Sequence, residues 1–226
     1  MNKTKSTIIV FIWYLIAAIS AFVLFQFVLP HTTHILLKSF LANVLATFVI
    51  FIGSSIYNNS SIYDAYWSVV PPIILMYWNN LEYSNFISFK NNILLLVVLF
   101  WSVRLTLNWH YGWKGLHDED WRYTELRNQN GKWFPLVNFF GIHLFPTVLV
   151  FVALIPCYYI ISAYHINIVP LYIIGVLIAI VGILFELIAD IQSKRFRATH
   201  AKNKFITTGL WQYSRHRITL EKFYFG

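Results

Sequence analysis

Charge is what this sequence has least of. Only 12% of its 226 residues are Asp, Glu, Lys or Arg, while 58% are apolar and 19% aromatic. A water-soluble domain of this length needs a more polar surface, so that class is excluded. Cysteine is nearly absent too. Cys157 stands alone in an apolar run, which rules out a disulfide within the chain and speaks against a metal–thiolate cluster. Acids are few, 9 against 17 Lys and Arg, for a formal net charge of +8. That excess does not call for a nucleic-acid partner, because the bases cluster between apolar runs, as positive-inside membrane topology requires. The basic-then-apolar N-terminus looks like a signal peptide but lacks a small-residue cleavage site, so it reads as a retained first helix.

What is there is a series of apolar runs near the ~20 residues that a bilayer span needs. They predict an all-α, polytopic transmembrane helical bundle, one integral membrane domain over 1–226 with about six spans. The expected spans are 7–29, closed by Pro30; 35–57; a third entered at 63–68 and ending near Trp78; 93–107; 135–161; and 168–188. Pro71 and Pro72 are expected to kink or restart the third, and Pro146 or Pro156 to break the fifth. Gly175 and Gly182, seven apart on one face, should allow a close helix contact. With the N-terminus inside, only Lys38 and Lys90 of the 17 basic residues fall toward the outside. The N-terminus and the segments 108–133 and 189–217 are therefore expected in the cytoplasm.

Candidate functional residues sit where these spans meet polar segments. Asp64, among Tyr63, Tyr66 and Trp67, is either a helix N-cap with interfacial aromatics or an acid reaching into a substrate cavity. Arg104, in the last turns of the fourth span, faces inward or snorkels to the headgroups. His31 and His34 have no third ligand nearby, and the consecutive His117, Asp118, Glu119 and Asp120 cannot converge on one ion, so no metal is expected. An acidic helix start near Asp118, paired with Arg122 at i+4, is the plain reading of that segment. The stretch 186–216 is the densest. Glu186 and Asp190 lie one turn apart at the mouth of the sixth span, and Lys194, Arg195, Arg197, Lys202, Lys204 and Arg215 follow. Charge there is costly unless it is paired or functional. Either the acids are salt-bridged to Arg195 or Arg104, or acids, bases, Trp211 and Tyr213 form a pocket for an anionic cofactor.

Several separated motifs carry a family resemblance: Asp64-Ala65-Tyr66-Trp67-Ser68; Arg104 to Trp109; Gly112-Trp113 with Gly115-Leu116; Glu119 to Tyr123 with Leu126-Arg127; and Glu186 to His216. Over 64–216 the chain resembles the bacterial DUF1295 membrane proteins, related to the C-terminal domain of steroid 5-alpha-reductases. The resemblance implies a bacterial inner-membrane reductase that uses NADPH to reduce a carbon–carbon double bond conjugated to a carbonyl. The substrate would be an apolar small molecule or lipid, steroid-like or otherwise, taken from the bilayer. It also implies cofactor contacts from Asp190, Arg195, Arg197, Trp211, Tyr213, Arg215 and His216, and a substrate-side acid among Asp64, Tyr66 and Glu186. Isoprenylcysteine-type membrane methyltransferases, which would use S-adenosylmethionine, have a related C-terminal architecture and give the alternative; a non-catalytic membrane remnant is the third reading.

After His216 the resemblance stops. The family continues Pro-Asn-Tyr-Phe-Gly-Glu into a final apolar span, whereas this chain reads Arg217-Ile218-Thr219-Leu220-Glu221-Lys222-Phe223-Tyr224-Phe225-Gly226. A family-like tail, suitably encoded and stripped of one cytosine, translates to the observed residues throughout 217–226. The expectation is a single-base frameshift at codon 217, an aberrant tail, a missing final span and a weakened cofactor site.

Overall fold

The computed structural model describes residues 2–82, 89–162, 169–199 and 206–213. Among these, all regular structure is helical, and the chain is an all-α polytopic bundle. It divides into two compact units, residues 1–166 and 167–226. Five helical stretches are long and apolar enough to cross a membrane: Lys3–Val28, Ile35–Ile56, Asn91–Gly112, Trp121–Ser162 and Pro170–Thr199.

In the first unit, α1 (Lys3–Val23) starts where the Asn2 side chain accepts the Lys5 N–H, and it runs into a π-helical turn, Leu24–Val28. His34 caps α2 (Ile35–Ile56) in the same way through the Leu36 N–H, so this loop histidine has a structural role. Asn58 adopts a left-handed φ of 48°, a conformation Asn tolerates better than most residues. The chain there reverses into a short 3-10 turn, Ser60–Ile62, and then α3 (Tyr63–Glu82). α3 is the expected third span, yet it is not among the five apolar stretches. Pro71 and Pro72 neither end nor restart it.

The fourth helix, α4 (Phe89–Gly112), outlasts its predicted span at both ends. Arg104 on it faces inward, 9% exposed. The amphipathic segment then forms α5 (Trp121–Asn130). Its cap is Asp120 rather than Asp118, and Arg122 pairs with Asp120 at 2.9 Å instead of reaching back a full turn. Asp118 faces Lys114 at 4.0 Å. The expected break in the fifth span lies just ahead of Pro146. After α6 (Phe134–Val137) come seven π-helical residues, Asn138–Leu144, before α7 (Phe145–Ser162). A proline lacks an N–H and crowds the preceding turn, and the wider π turn relieves both. Pro156 lies inside α7 without ending it.

Two apolar clusters hold this unit. One joins Val10, Ala17, Ala46, Ile50, Ile62 and Tyr66, and the other centres on Trp78 with Leu75, Phe151, Leu154 and Tyr158. Trp78 is fully buried and donates its indole N–H to Ser39 Oγ at 2.8 Å. α1 and α2 meet closely at Gly53, where an added Cβ would lie 2.7 Å from the Trp13 ring.

The second unit is α8 (Val169–Thr199) and a 3-10 turn, Gly209–Gln212. Gly175 and Gly182 both lie on α8.

Candidate functional site

The sequence places four helices around one space. α1, α2, α3 and α4 enclose a cavity of about 610 Å³, within the usual size range of small-molecule sites. Its walls are almost wholly apolar, with Val10, Phe11, Phe25, Ala46, Val70 and Ile74 among them. Three tyrosines, Tyr14, Tyr66 and Tyr77, are among its lining residues. Tyr66 lines it and donates to Asn43 Oδ1 at 3.3 Å, a long and weak bond. Tyr14, another wall residue, donates to the Ile62 carbonyl at 2.6 Å.

Next to this cavity lies a polar layer built from the start of α1, the 58–62 turn and the segment 110–130. Lys3 Nζ donates to the His110 carbonyl, and Ser6 Oγ accepts the Leu116 N–H. Asn59 donates to the carbonyls of Leu116 and Asp118. Glu119 accepts the Ser60 N–H at 2.7 Å and both contacts of the Arg127 guanidinium at 2.9 and 3.0 Å. Arg127 in turn lies over the Phe134 ring. These contacts put the N-terminus and the 108–133 segment at one end of the unit.

Asp64 belongs to this layer. It occupies the first turn of α3 and accepts the Tyr123 hydroxyl at 2.5 Å. Burial pushes its carboxyl up to about 6, against the opposing pull of the Tyr123 hydrogen bond. Asp120 goes the other way: burial works against its charge, but the Arg122 hydrogen bonds outweigh that and hold it below the usual carboxylate range. The structure therefore separates two neighbours in sequence, with Asp64 in the polar layer and Tyr66 at the cavity.

Behind Tyr66 runs a buried chain of hydroxyls. Tyr63 OH lies 2.7 Å from Thr147 Oγ1, which also meets Thr47 Oγ1 and the His143 carbonyl, each at 2.9 Å. His143 Nδ1 is 2.9 Å from the Asn138 carbonyl, which can only accept, so that nitrogen carries the proton. Its Nε2 then accepts from Ser54 Oγ at 3.0 Å. Sequence reasoning missed Tyr14, Asn43, Thr47, Tyr123, His143 and Thr147. Most are single polar residues inside apolar runs, a pattern that carries no local signal.

In the second unit, the remaining candidates gather at the end of α8. Glu186, Asp190 and Arg197 fall on one face by helical spacing, and Arg197 donates to Ser193 Oγ at 2.9 Å. Arg195 stands about 200° around the helix from Arg197, so the two cannot grip one phosphate together while the helix persists. The Gly209–Gln212 turn docks on the same helix: Trp211 Nε1 donates to the Ala189 carbonyl at 3.0 Å and the Leu210 N–H to Gln192 Oε1 at 2.9 Å. Gly209 is required there twice over, by its φ of +67° and by the Gln192 side chain, 2.5 Å from where a Cβ would sit. Tyr213 is 82% exposed. Arg215, His216 and the tail 217–226 lie outside the described residues. Among the described residues, no group of three His, Cys, Asp or Glu could hold a metal ion.

A family model described as protein of unknown function (DUF1295) matches residues 50–220. An uncharacterized protein of Schizosaccharomyces pombe is 30% identical over 136 residues, which is 57% of this chain and 37% of that protein. The match thus spans little more than a third of that relative's length. No solved structure matches.

Proposed function

The chain belongs to the DUF1295 family, and from that premise we propose a membrane-embedded, NADPH-dependent reductase of a conjugated carbon–carbon double bond in an apolar substrate. The observation that supports it most is the cavity: about 610 Å³ of apolar space walled by helices of the bundle, with Tyr66 among the wall residues. Such a space takes up a lipid-soluble molecule and excludes water. The reductase part rests on the resemblance to the steroid 5-alpha-reductase C-terminal domain. The Lys and Arg residues at the polar-layer end support an orientation with that end in the cytoplasm.

The end of α8 suits an anionic dinucleotide by its charge. Lys194, Arg195 and Arg197 are exposed there, and the Gly209 turn brings Trp211 onto the helix beside them. Those residues, with Asp190 and Tyr213, would hold the cofactor, which when bound supplies a hydride to the substrate's double bond. Tyr66 does the complementary work. Its 3.3 Å bond to Asn43 is long, and exchanging it for a substrate carbonyl would let the hydroxyl stabilise the negative charge that builds there. The Thr47 hydroxyl donates to the Asn43 backbone carbonyl at 2.9 Å. Asp64 keeps Tyr123 and the start of α3 in register.

The test is NADPH oxidation by the purified chain in lipid nanodiscs with an apolar enone. Turnover is expected, and Tyr66→Phe should lower it about a hundredfold while NADPH binding persists. Methyl transfer from S-adenosylmethionine in place of NADPH oxidation would instead establish the methyltransferase alternative. Binding of neither cofactor would leave the non-catalytic reading.

A further inference from the structure

The cavity is long rather than round. Its wall residues on α1 run from Thr7 to Phe25, about 27 Å of helix at 1.5 Å per residue. On α3 they run from Ala65 to Tyr77. The two helices keep step along it. The rings of Tyr14 and Tyr66 meet edge to face at one level, 5.7 Å apart, and those of Phe25 and Tyr77 at another, 4.7 Å apart. Eleven residues separate the two levels on α1, and eleven on α3, which is about 16 Å by either helix. Spread over the full length, about 610 Å³ leaves a mean cross-section of about 23 Å². Carbon atoms in contact sit ~3.5–4.0 Å apart, so that section takes one extended chain and not two.

Polarity is not spread evenly along this channel. Thr7, Thr106 and His110 line the end beside the polar layer, and Tyr14, Tyr66 and Asn43 stand at the next level. Beyond Tyr66 the walls include Ala18, Ala21, Phe22, Val70, Ile73 and Ile74, whose side chains carry no polar atom. The polar groups at the far end are engaged within the protein. Ser39 Oγ accepts from Trp78 Nε1 at 2.8 Å, and Tyr77 OH accepts from Gln26 Nε2 at 2.9 Å. A narrow apolar stretch with its closing polar groups engaged suits the end of a hydrocarbon tail.

We propose that the substrate is a single-chain lipid, with its conjugated carbonyl at Tyr66 and its tail in the channel toward Phe25 and Tyr77, rather than a fused-ring molecule. The inference rests on reading the cavity as the substrate site and adds the shape of what it takes. A fully extended chain advances ~1.2 Å per bond, so about 16 Å holds a tail of about thirteen bonds. On the other side of Tyr66, the helix from Thr7 to Tyr14 leaves about 10 Å for whatever the carbonyl carries. The conjugated group therefore lies near the head of the molecule, with the tail beyond it.

The experiment measures, by scintillation proximity, the binding of tritiated straight-chain methyl enones to the full chain in phosphatidylcholine nanodiscs, with tails of about four and about twelve carbons. Affinities are taken per mole fraction in the bilayer, so that partitioning into lipid cancels. The longer tail is expected to bind about tenfold more tightly. Ala21→Phe adds a ring to the channel wall about 10 Å past Tyr14, and Ile74→Phe adds one from α3 about 12 Å past Tyr66. Each should cost the longer tail about tenfold while binding of the shorter one persists, which also shows that the variants are folded. Equal affinity for both tails in the native chain overturns the tail channel and leaves the cavity reading intact. So does a loss that falls equally on both tails in both variants. A tritiated tetracyclic enone bound as tightly as the longer tail overturns the single-chain class. Binding of no enone overturns the cavity reading and this inference with it.

Discussion

The two ends of the first unit treat charge in opposite ways. At the polar-layer end, acids and bases are matched: Glu119 with Arg127, Asp120 with Arg122, Asp64 with the Tyr123 hydroxyl. At the far end, Lys38 is more deeply buried than any of these bases and has an aromatic ring for company. A folded chain ordinarily pairs the charges it buries or leaves them in water. Where it satisfies every partner, the charges organise the backbone: Glu119 holds the Ser60 N–H, and Arg127 holds the Asn58 carbonyl. At the far end the Phe25 ring stands where a counter-ion would, and it offsets part of the cost of holding the lysine there. The same residue type thus organises backbone at one end and packs against an aromatic ring at the other.

The largest break in this contrast comes from Glu119→Ala. The side chains of Glu119 and Arg127 are 13% and 31% exposed. Removing the carboxylate leaves the Ser60 N–H without its acceptor and the guanidinium with Asn58 but no counter-ion in this pair. A loss of about 3 kcal/mol is expected, seen as a lower Tm in detergent. No change in Tm would mean that this pair is ornamental.

Asp64 gives the next effect, and its sign is the reverse of an ordinary salt-bridged acid. Its carboxyl is pushed up from 3.8 to about 6 in the folded chain, so the folded form binds the proton more tightly than the unfolded one. Its contribution to stability is whole below about pH 4 and is lost as pH rises to about 6. The loss should be about 2 kcal/mol after allowing for the partial exposure of this residue. Asp64→Asn should flatten stability over that window; a profile unchanged by the substitution would mean that Asp64 stays ionised throughout.

These effects show what was legible in the sequence. The helical bundle followed from run length, since a bilayer span has a fixed thickness to cross; of the six expected spans, α3 is not among the five stretches long and apolar enough to cross. Asp64 and Tyr66 were legible because charge and aromatics break an apolar pattern. Their division between the polar layer and the cavity was not, since it depends on where α5 places Tyr123. Pro71 and Pro72 misled because proline is a strong breaker locally, and packing against α4 and α7 overrides it. Thr47 meets Thr147 and the His143 carbonyl beside it only when α2 packs against α7 and the π-helical turn, and no spacing rule spans that distance. Lys38 was read as a topology marker, and its burial is a fact of the fold alone.

A smaller effect separates packing from charge. Gly53→Ala puts a methyl group 2.7 Å from the Trp13 ring, and the indole must shift. About 1–2 kcal/mol of destabilisation is expected, with the pH profile of Asp64 unchanged, because the contact lies in the apolar seam of α1 and α2. A pH profile that moved with it would couple the seam to the polar layer.

The smallest expected change has the opposite sign. Lys38→Met removes a charge from a buried place, as Glu119→Ala does, but no partner is stranded by it. The Met side chain keeps most of the stem that packs near Phe25, and the cost of holding an ammonium out of water disappears. Stability without ligand should rise, by less than about 1 kcal/mol, because the Phe25 ring already offsets part of that cost. Thermal melts of the two variants side by side in neutral detergent make the comparison. If both lose stability, Lys38 is a structural cation like those at the other end; if only Glu119→Ala does, the fold does not need the ammonium, and the two ends differ as their contacts say.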